Sequence, residues 1–222
     1  MLRHHWDISP AEAVRIQQKL HTRVITRPLD RSPRTVAGLD VHQDRGAVAV
    51  FTFPDLKWLT GATVRYRVTF PYIPGLLAFR EMPALLAAIA KLDVLPDLLL
   101  CDGHGIAHPR RFGVACHLGI WVERPTIGCA KSRLCGQHAD LPLKRGATVP
   151  LTDGGDVMGA VVRTRAKVKP VYVSIGHLVD QKDANDVVLR CALRYRVPEP
   201  LRIAHMMAQS GRRPRNGPKE RT

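Results

Sequence analysis

The chain has 222 residues, enough to bury a sizeable core, and is expected to form one domain over residues 1–209 with a short tail. Thirty-four Lys and Arg against 19 Asp and Glu give a formal net charge of +15 and a pI near 10.3, an excess that repels itself unless an anionic partner is at hand. No stretch is long and apolar enough to cross a membrane, "MLRHHWDISP" lacks the apolar region of a signal peptide, and no basic amphipathic helix suits a membrane surface, so the expectation is a cytoplasmic, monomeric protein whose partner is nucleic acid.

The first element is signalled twice. Ser9-Pro10-Ala11-Glu12 puts Ser at a cap, Pro at the first helical position and Glu three residues beyond the cap, ahead of Ala13, Ile16 and Leu20 on one face. After the loop "TRPLDRSPR" come "TVAGLDV", "GAVAVFTF" and "TVRYRVTF", in the last of which Val64, Tyr66, Val68 and Phe70 alternate with Arg65, Arg67 and Thr69. Three such runs with short links predict an antiparallel meander with one polar face. In "FPYIPGLLAFRE" two prolines each fix φ at about −65° and press the preceding residue toward extended geometry, so Pro71-Tyr72-Ile73-Pro74 reads as a stiff finger. Gly75 lets the chain turn sharply out of it. An ordinary surface turn, with Tyr72 and Ile73 folded back onto the core, is the competing reading.

Gly75 to Leu92 reads as a helix that Pro83 kinks or restarts. "LPDLLLCDGHG" reads as an apolar strand running into Asp102 and a glycine loop, "RFGVACHLGIWV" as a buried helix and "PTIGCA" as a further short strand. Beyond the loop around "GQHADLPLKRGA", the runs "VMGAVVRT" and "PVYVSIG" suggest a late hairpin, and helices are expected near "ANDVVLRCALRY" and "EPLRIAHMMAQ". The segment from Ser210 to Thr222, "SGRRPRNGPKERT", has the composition of a disordered basic tail. The five cysteines form no C-x-x-C pair and read as reduced, buried small hydrophobes.

Three antiparallel strands, a helix, then strands alternating with helices is the layout of an α/β ribonuclease H-like core, a mixed sheet flanked by helices. The lone acids fall tellingly within it. Asp40 interrupts the apolar run of the first strand, Glu81 lies on the helix after the meander, and Asp102 ends the apolar run "LLLCD". A carboxylate in an apolar strand is expensive to bury without a charge or hydrogen-bond partner. Three carboxylates brought together would bind magnesium, a hard cation that takes oxygen ligands, activates water and stabilises the leaving oxygen of a phosphodiester. Each acid alone could instead be a satisfied strand-end Asp or a solvated helical Glu.

Four blocks in register, "TVAGLDV", "FPYIPGLLAFRE", "DLLLCDGHGIAHPRRFGVACHLGI" and "PTIGCAKSRLCG", resemble endonuclease V, a deoxyinosine-directed repair nuclease family; "GHLVD" and "PEPLRIAH" extend the likeness toward the C-terminus. The resemblance implies a ribonuclease H-like enzyme that uses magnesium, with manganese as a substitute, and hydrolyses the second phosphodiester 3′ to inosine. It carries the metal positions onto Asp40, Glu81 and Asp102, a basic catalytic position onto Lys131, and an active-site histidine onto His205. It makes Pro71, Tyr72, Ile73 and Pro74 a wedge that parts the duplex, and Gly75, Leu77, Gly103, Gly105 and His108 the walls of a pocket for the extruded base. Two positions depart from the family pattern: His42 and Cys116 both stand where Ser is usual. The same fold could serve inosine-containing RNA, or a basic binding module that has lost catalysis, although all three acids are intact.

Overall fold

The computed structural model describes residues 4–214. Helix α1 (Pro10–Leu20) starts as its sequence dictates: the Ser9 side chain accepts from the Glu12 N–H and Glu12 reaches back to the Ser9 N–H at 2.8 Å. The chain continues through β1 (Thr35–His42), β2 (Arg45–Thr52), β3 (Trp58–Arg65), α2 (Leu77–Ile89), β4 (Leu98–Cys101), α3 (Val114–Val122) and β5 (Thr126–Ala130). It ends with β6 (Thr148–Asp153), β7 (Asp156–Val162), β8 (Val171–His177), α4 (Gln181–Cys191) and α5 (Glu199–Ser210).

All eight strands belong to one sheet in the order β3-β2-β1-β4-β5-β8-β7-β6. The meander β1–β2–β3 is antiparallel, β1, β4 and β5 are parallel neighbours, and β8 and β7 return antiparallel. Helices cover both faces, which is why the central strands are apolar throughout rather than alternating. Val36, Leu98 and Leu100 pack with Leu201, Ile203 and Ala204 of α5. Ala37, Leu39, Leu99 and Cys101 pack with Met82 and Leu85 of α2 and Leu118 of α3. On β1 and β4, therefore, even-numbered residues face α5 and odd-numbered ones face α2 and α3. Helix α5 sits hard against β1 at Gly38, where an added Cβ would lie 2.1 Å from the Pro200 carbonyl carbon.

Four features differ from the sequence expectation. The third strand lies earlier than its alternating pattern suggests, because β2 offers no partner beyond the Arg45↔Arg65 pair and Tyr66 closes the ladder by donating to the Asp44 carbonyl at 2.7 Å. Strand β6 had no signal, since Pro150 interrupts it; it is the edge strand of the sheet, where proline is tolerated. Helix α2 runs through Pro83 without a restart. The expected tail begins inside structure: Ser210 ends α5, Thr63 Oγ1 donates to the Gly211 carbonyl at 3.1 Å, and the Arg213 guanidinium lies 4.5 Å from the Trp58 ring centre. The rest of the expected tail, from residue 215 on, lies outside the described residues. All five cysteines are free thiols, and among the described residues no helix is long and apolar enough to cross a membrane.

Candidate active site

The register of β1 on β4 pairs Leu39 with Cys101, so the residue after each, Asp40 and Asp102, stand side by side at the C-terminal ends of two parallel strands. The Asp102 N–H donates to the Leu39 carbonyl at 3.1 Å and fixes that placement. Both acids have even numbers and face α5, which brings His205 Nδ1 to 2.6 Å from Asp40 Oδ2. One ligand atom each from Asp40, Asp102 and His205 lies within 4.8 Å of the others. Lys131, the first residue after β5, forms an ion pair with Asp102, and its own carbonyl is held by the Arg196 guanidinium.

Glu81 reaches the same cavity from the opposite layer, on α2, and is absent from that tight cluster. Its carboxyl is still coupled to the others: burial raises its pKa well above the usual carboxylate value, and the charges of Asp40 and Asp102 raise it further. The Asp40 carboxyl is also raised, first by burial and then by Asp102, with His205 opposing. Three acids thus share a poorly hydrated site in which Lys131 and His205 only partly offset the mutual repulsion. Two carboxylates and an imidazole converging on one point, with a third carboxylate close by, fit a divalent cation in number and in donor chemistry.

Beside the acids opens a cavity of about 350 Å³ whose walls include Gly75, Leu77, Gly103 and His108 together with Asp40, Glu81, Asp102 and Lys131. Gly105 is not one of its lining residues; its N–H donates to Ser174 Oγ at 2.8 Å, behind the wall. His108 contributes its ring rather than free nitrogens, because Nε2 meets the Gly75 carbonyl at 2.9 Å and Nδ1 accepts from the Arg110 N–H at 3.1 Å. Burial pushes its pKa down to about 4, which keeps the ring neutral and assigns the proton to Nε2.

The proline-bounded finger divides its two large side chains. Tyr72 is 69 % exposed, while Ile73 packs back among Ala13, Phe70, Leu76 and Phe79. The two readings of this stretch therefore each describe one residue. Sequence reasoning missed Gln17, Arg133 and Leu134, which also line the cavity. Gln17 left a readable signal: it is a polar residue on the buried face of α1, between Ala13 and Leu20.

A family model described as Endonuclease V matches residues 18–206. The chain is 51 % identical over 214 residues to an endonuclease V of Roseiflexus sp. strain RS-1, covering 95 % of this chain and 96 % of that protein. The crystal structure of an endonuclease V from Streptomyces avermitilis is 41 % identical and superposes with a TM-score of 0.88 over 93 % of this chain and 94 % of its own. A Ciona intestinalis endonuclease V, solved in complex with a 23-mer DNA containing an inosine followed by a ribo-adenosine, is 25 % identical with a TM-score of 0.78 over 92 % of this chain and 98 % of its own. The mixed sheet with its flanking helices is accordingly a ribonuclease H-like core.

Proposed function

This chain belongs to the endonuclease V family of nucleases, and on that premise we propose that it is a magnesium-dependent DNA repair enzyme that recognises deoxyinosine and cuts the second phosphodiester 3′ to it, leaving a 3′-hydroxyl and a 5′-phosphate. The observation that carries the reading is the adjacency of the acid cluster to the cavity at whose mouth Tyr72 stands exposed. Tyr72 fills the gap left in the base stack, and the extruded hypoxanthine enters the cavity lined by Gly75, Leu77, Gly103 and His108.

Asp40 and Asp102, with Glu81 nearby, would hold the metal, which would supply an activated water and neutralise charge developing at the scissile phosphate. His205 orients the Asp40 carboxylate through their hydrogen bond. Lys131 presents its ammonium beside Asp102, where it stabilises negative charge on the phosphate in the transition state. Because Asp102 adjoins Gly103 of the pocket wall, a nucleotide seated in the cavity cannot also lay its own phosphate among the acids. A bond further along the strand is cut instead, and the lesion stays in the product.

A second reading keeps the site and changes the strand. The DNA in the Ciona relative's complex carries a ribo-adenosine directly after the inosine, so a ribose just beyond the lesion is compatible with binding in that protein. Purified protein with Mg²⁺, given matched end-labelled DNA and RNA strands each holding one inosine, decides between them. Expected is a single cut at the second 3′ phosphodiester of the DNA. Release of free hypoxanthine, a cut on the 5′ side, or cutting of RNA alone overturns the reading.

A further inference from the structure

The Gly75 carbonyl is unusual in carrying three donors: Gln17 Nε2 at 3.0 Å, His108 Nε2 at 2.9 Å and Arg110 Nη2 at 2.8 Å. A carbonyl oxygen has two lone pairs, so this one is saturated. Gln17 is the hub of the arrangement. Its second amide hydrogen goes to the Phe112 carbonyl at 2.9 Å, its Oε1 accepts from Arg110 Nε at 2.6 Å, and its side chain is almost completely buried. One residue of α1 thereby ties together the finger and the loop that precedes α3, two walls of the same cavity.

The held carbonyl belongs to a tight turn. The Leu76 N–H donates to the Ile73 carbonyl at 2.9 Å, Pro74 and Gly75 take the two central positions, and Gly75 has φ of 80°, the pattern of a type II turn. Its peptide plane is free to rotate only if the carbonyl is free. Hypoxanthine and adenine differ at the edge that such a wall would read: hypoxanthine presents O6 and N1–H, whereas adenine presents an amino donor at the six position. A free carbonyl at Gly75 would accept that amino group. Saturated by these three donors, it offers adenine no partner, and an amino group buried without one is strongly disfavoured.

The geometry points to Gln17 and Arg110 as positioning residues for base selectivity: they lock the turn below Tyr72 and remove from the pocket wall an acceptor that adenine would use. This rests on the reading of the cavity as the inosine pocket. Neither residue is in the acid cluster, so the chemical step is independent of them.

Gln17→Met keeps the volume and removes all three hydrogen bonds of the amide, so the Gly75 carbonyl loses one donor outright and, with Oε1 gone, the anchor of a second, Arg110. Steady-state nicking is measured on strands with inosine or adenosine at one position, alongside the melting temperature. Expected for Gln17→Met is a KM on the inosine strand raised about tenfold, an unchanged kcat, and an inosine-over-adenosine preference reduced by about the same factor. Arg110→Gln, at a half-buried position, removes one donor to Gly75 and the partner that holds Gln17 Oε1, and is expected to shift the preference in the same direction even where Gln17→Met folds poorly. A folded Gln17→Met or Arg110→Gln with the wild-type preference overturns the inference, as does a loss of kcat on both strands with the preference intact. A wild-type protein with no inosine preference overturns the pocket reading itself, and with it this one.

Discussion

Asp40 and His117 are both buried, and burial moves their proton affinities in opposite directions, up for the carboxyl and down for the imidazole. Asp40 is held among other carboxylates, so Asp40→Asn removes a proposed metal ligand and relieves repulsion at once. Nicking should fall by more than about a hundredfold, the upper end of what loss of a mere outer-shell partner costs. Binding to inosine DNA should survive, because phosphate contacts carry most of the affinity. Gel-shift and nicking assays on one preparation check both, and normal metal-dependent turnover would remove Asp40 from the site. His117 is wholly enclosed by Trp6, Phe79, Phe112 and Trp121, with Nε2 2.8 Å from Nε2 of His4, and burial lowers its pKa to about 3. The unfolded chain protonates this histidine below its ordinary value of 6.5 whereas the folded chain stays neutral, so stability is complete above 6.5 and is lost as the pH falls. The loss is about 1.4 kcal/mol per pH unit for each such histidine, or roughly 2 kcal/mol by pH 5. His117→Phe should flatten the difference between urea melts at pH 7 and pH 5 by that amount; an unchanged difference would show that His117 titrates normally. At this scale Asp40 and Asp102 were legible because a carboxylate in an apolar strand needs a reason. His205 and Lys131 were not legible from pattern alone, since each reaches its acid across more than twenty residues of intervening chain.

Among the elements, the finger between Phe70 and Leu76 is where sequence spoke most clearly. Two prolines and a glycine called for a projection ending in a turn, and the turn forms with Gly75 at its positive-φ position. What the sequence could not say is which side chain points outward, because that depends on Ala13 and Phe79 receiving Ile73. With Tyr72 alone exposed, Tyr72→Ala should weaken binding of an inosine duplex more than binding of an inosine single strand, where less stacking has to be disrupted. Fluorescence anisotropy on the two substrates measures it, and equal losses would mean that Tyr72 only packs. The β3 strand shows the limit of periodicity: Val64, Tyr66, Val68 and Phe70 alternate well, but a strand ends where its neighbour does, and β2 begins at Arg45. Strand β6 is the converse, a short run interrupted by Pro150 that pairs because β7 folds back on it across Gly154 and Gly155.

For the whole molecule, the mixed sheet was legible because a meander followed by alternating strands and helices allows few topologies. The pairing of β5 with the late strand β8 was not, because antiparallel closure of a sheet leaves no mark on either strand. This architecture hangs the acid cluster on β1 and β4, whose packing does not depend on any ion. Lys131 and His205 pair with oxygens of Asp102 and Asp40, so removing metal leaves the carboxylates partly compensated. Chelation should therefore stop nicking while changing the melting temperature by only a few degrees, and readdition of Mg²⁺ should restore activity. Unfolding on chelation would mean that the metal is a structural element of this chain.

The contact between α5 and β1 at Gly38 has a reach beyond packing. The backbone at Pro200 rests directly on Gly38, and His205 lies five residues further along the same helix, opposite Asp40. Gly38 is thus the fulcrum of a lever whose far arm carries an imidazole to within 2.6 Å of its carboxylate. One methyl group at the fulcrum cannot be absorbed by a side chain turning aside, since what it meets is main chain, and the helix itself has to lift. Gly38→Ala should lower kcat by about tenfold or more through the lengthened His205 to Asp40 contact, while base preference, which we propose is set at Gly75, stays as it was. Activity equal to wild type would show that α5 slides along the strand without tilting. An enzyme built this way keeps its catalytic spacing in the one residue of the first strand that has no side chain to change.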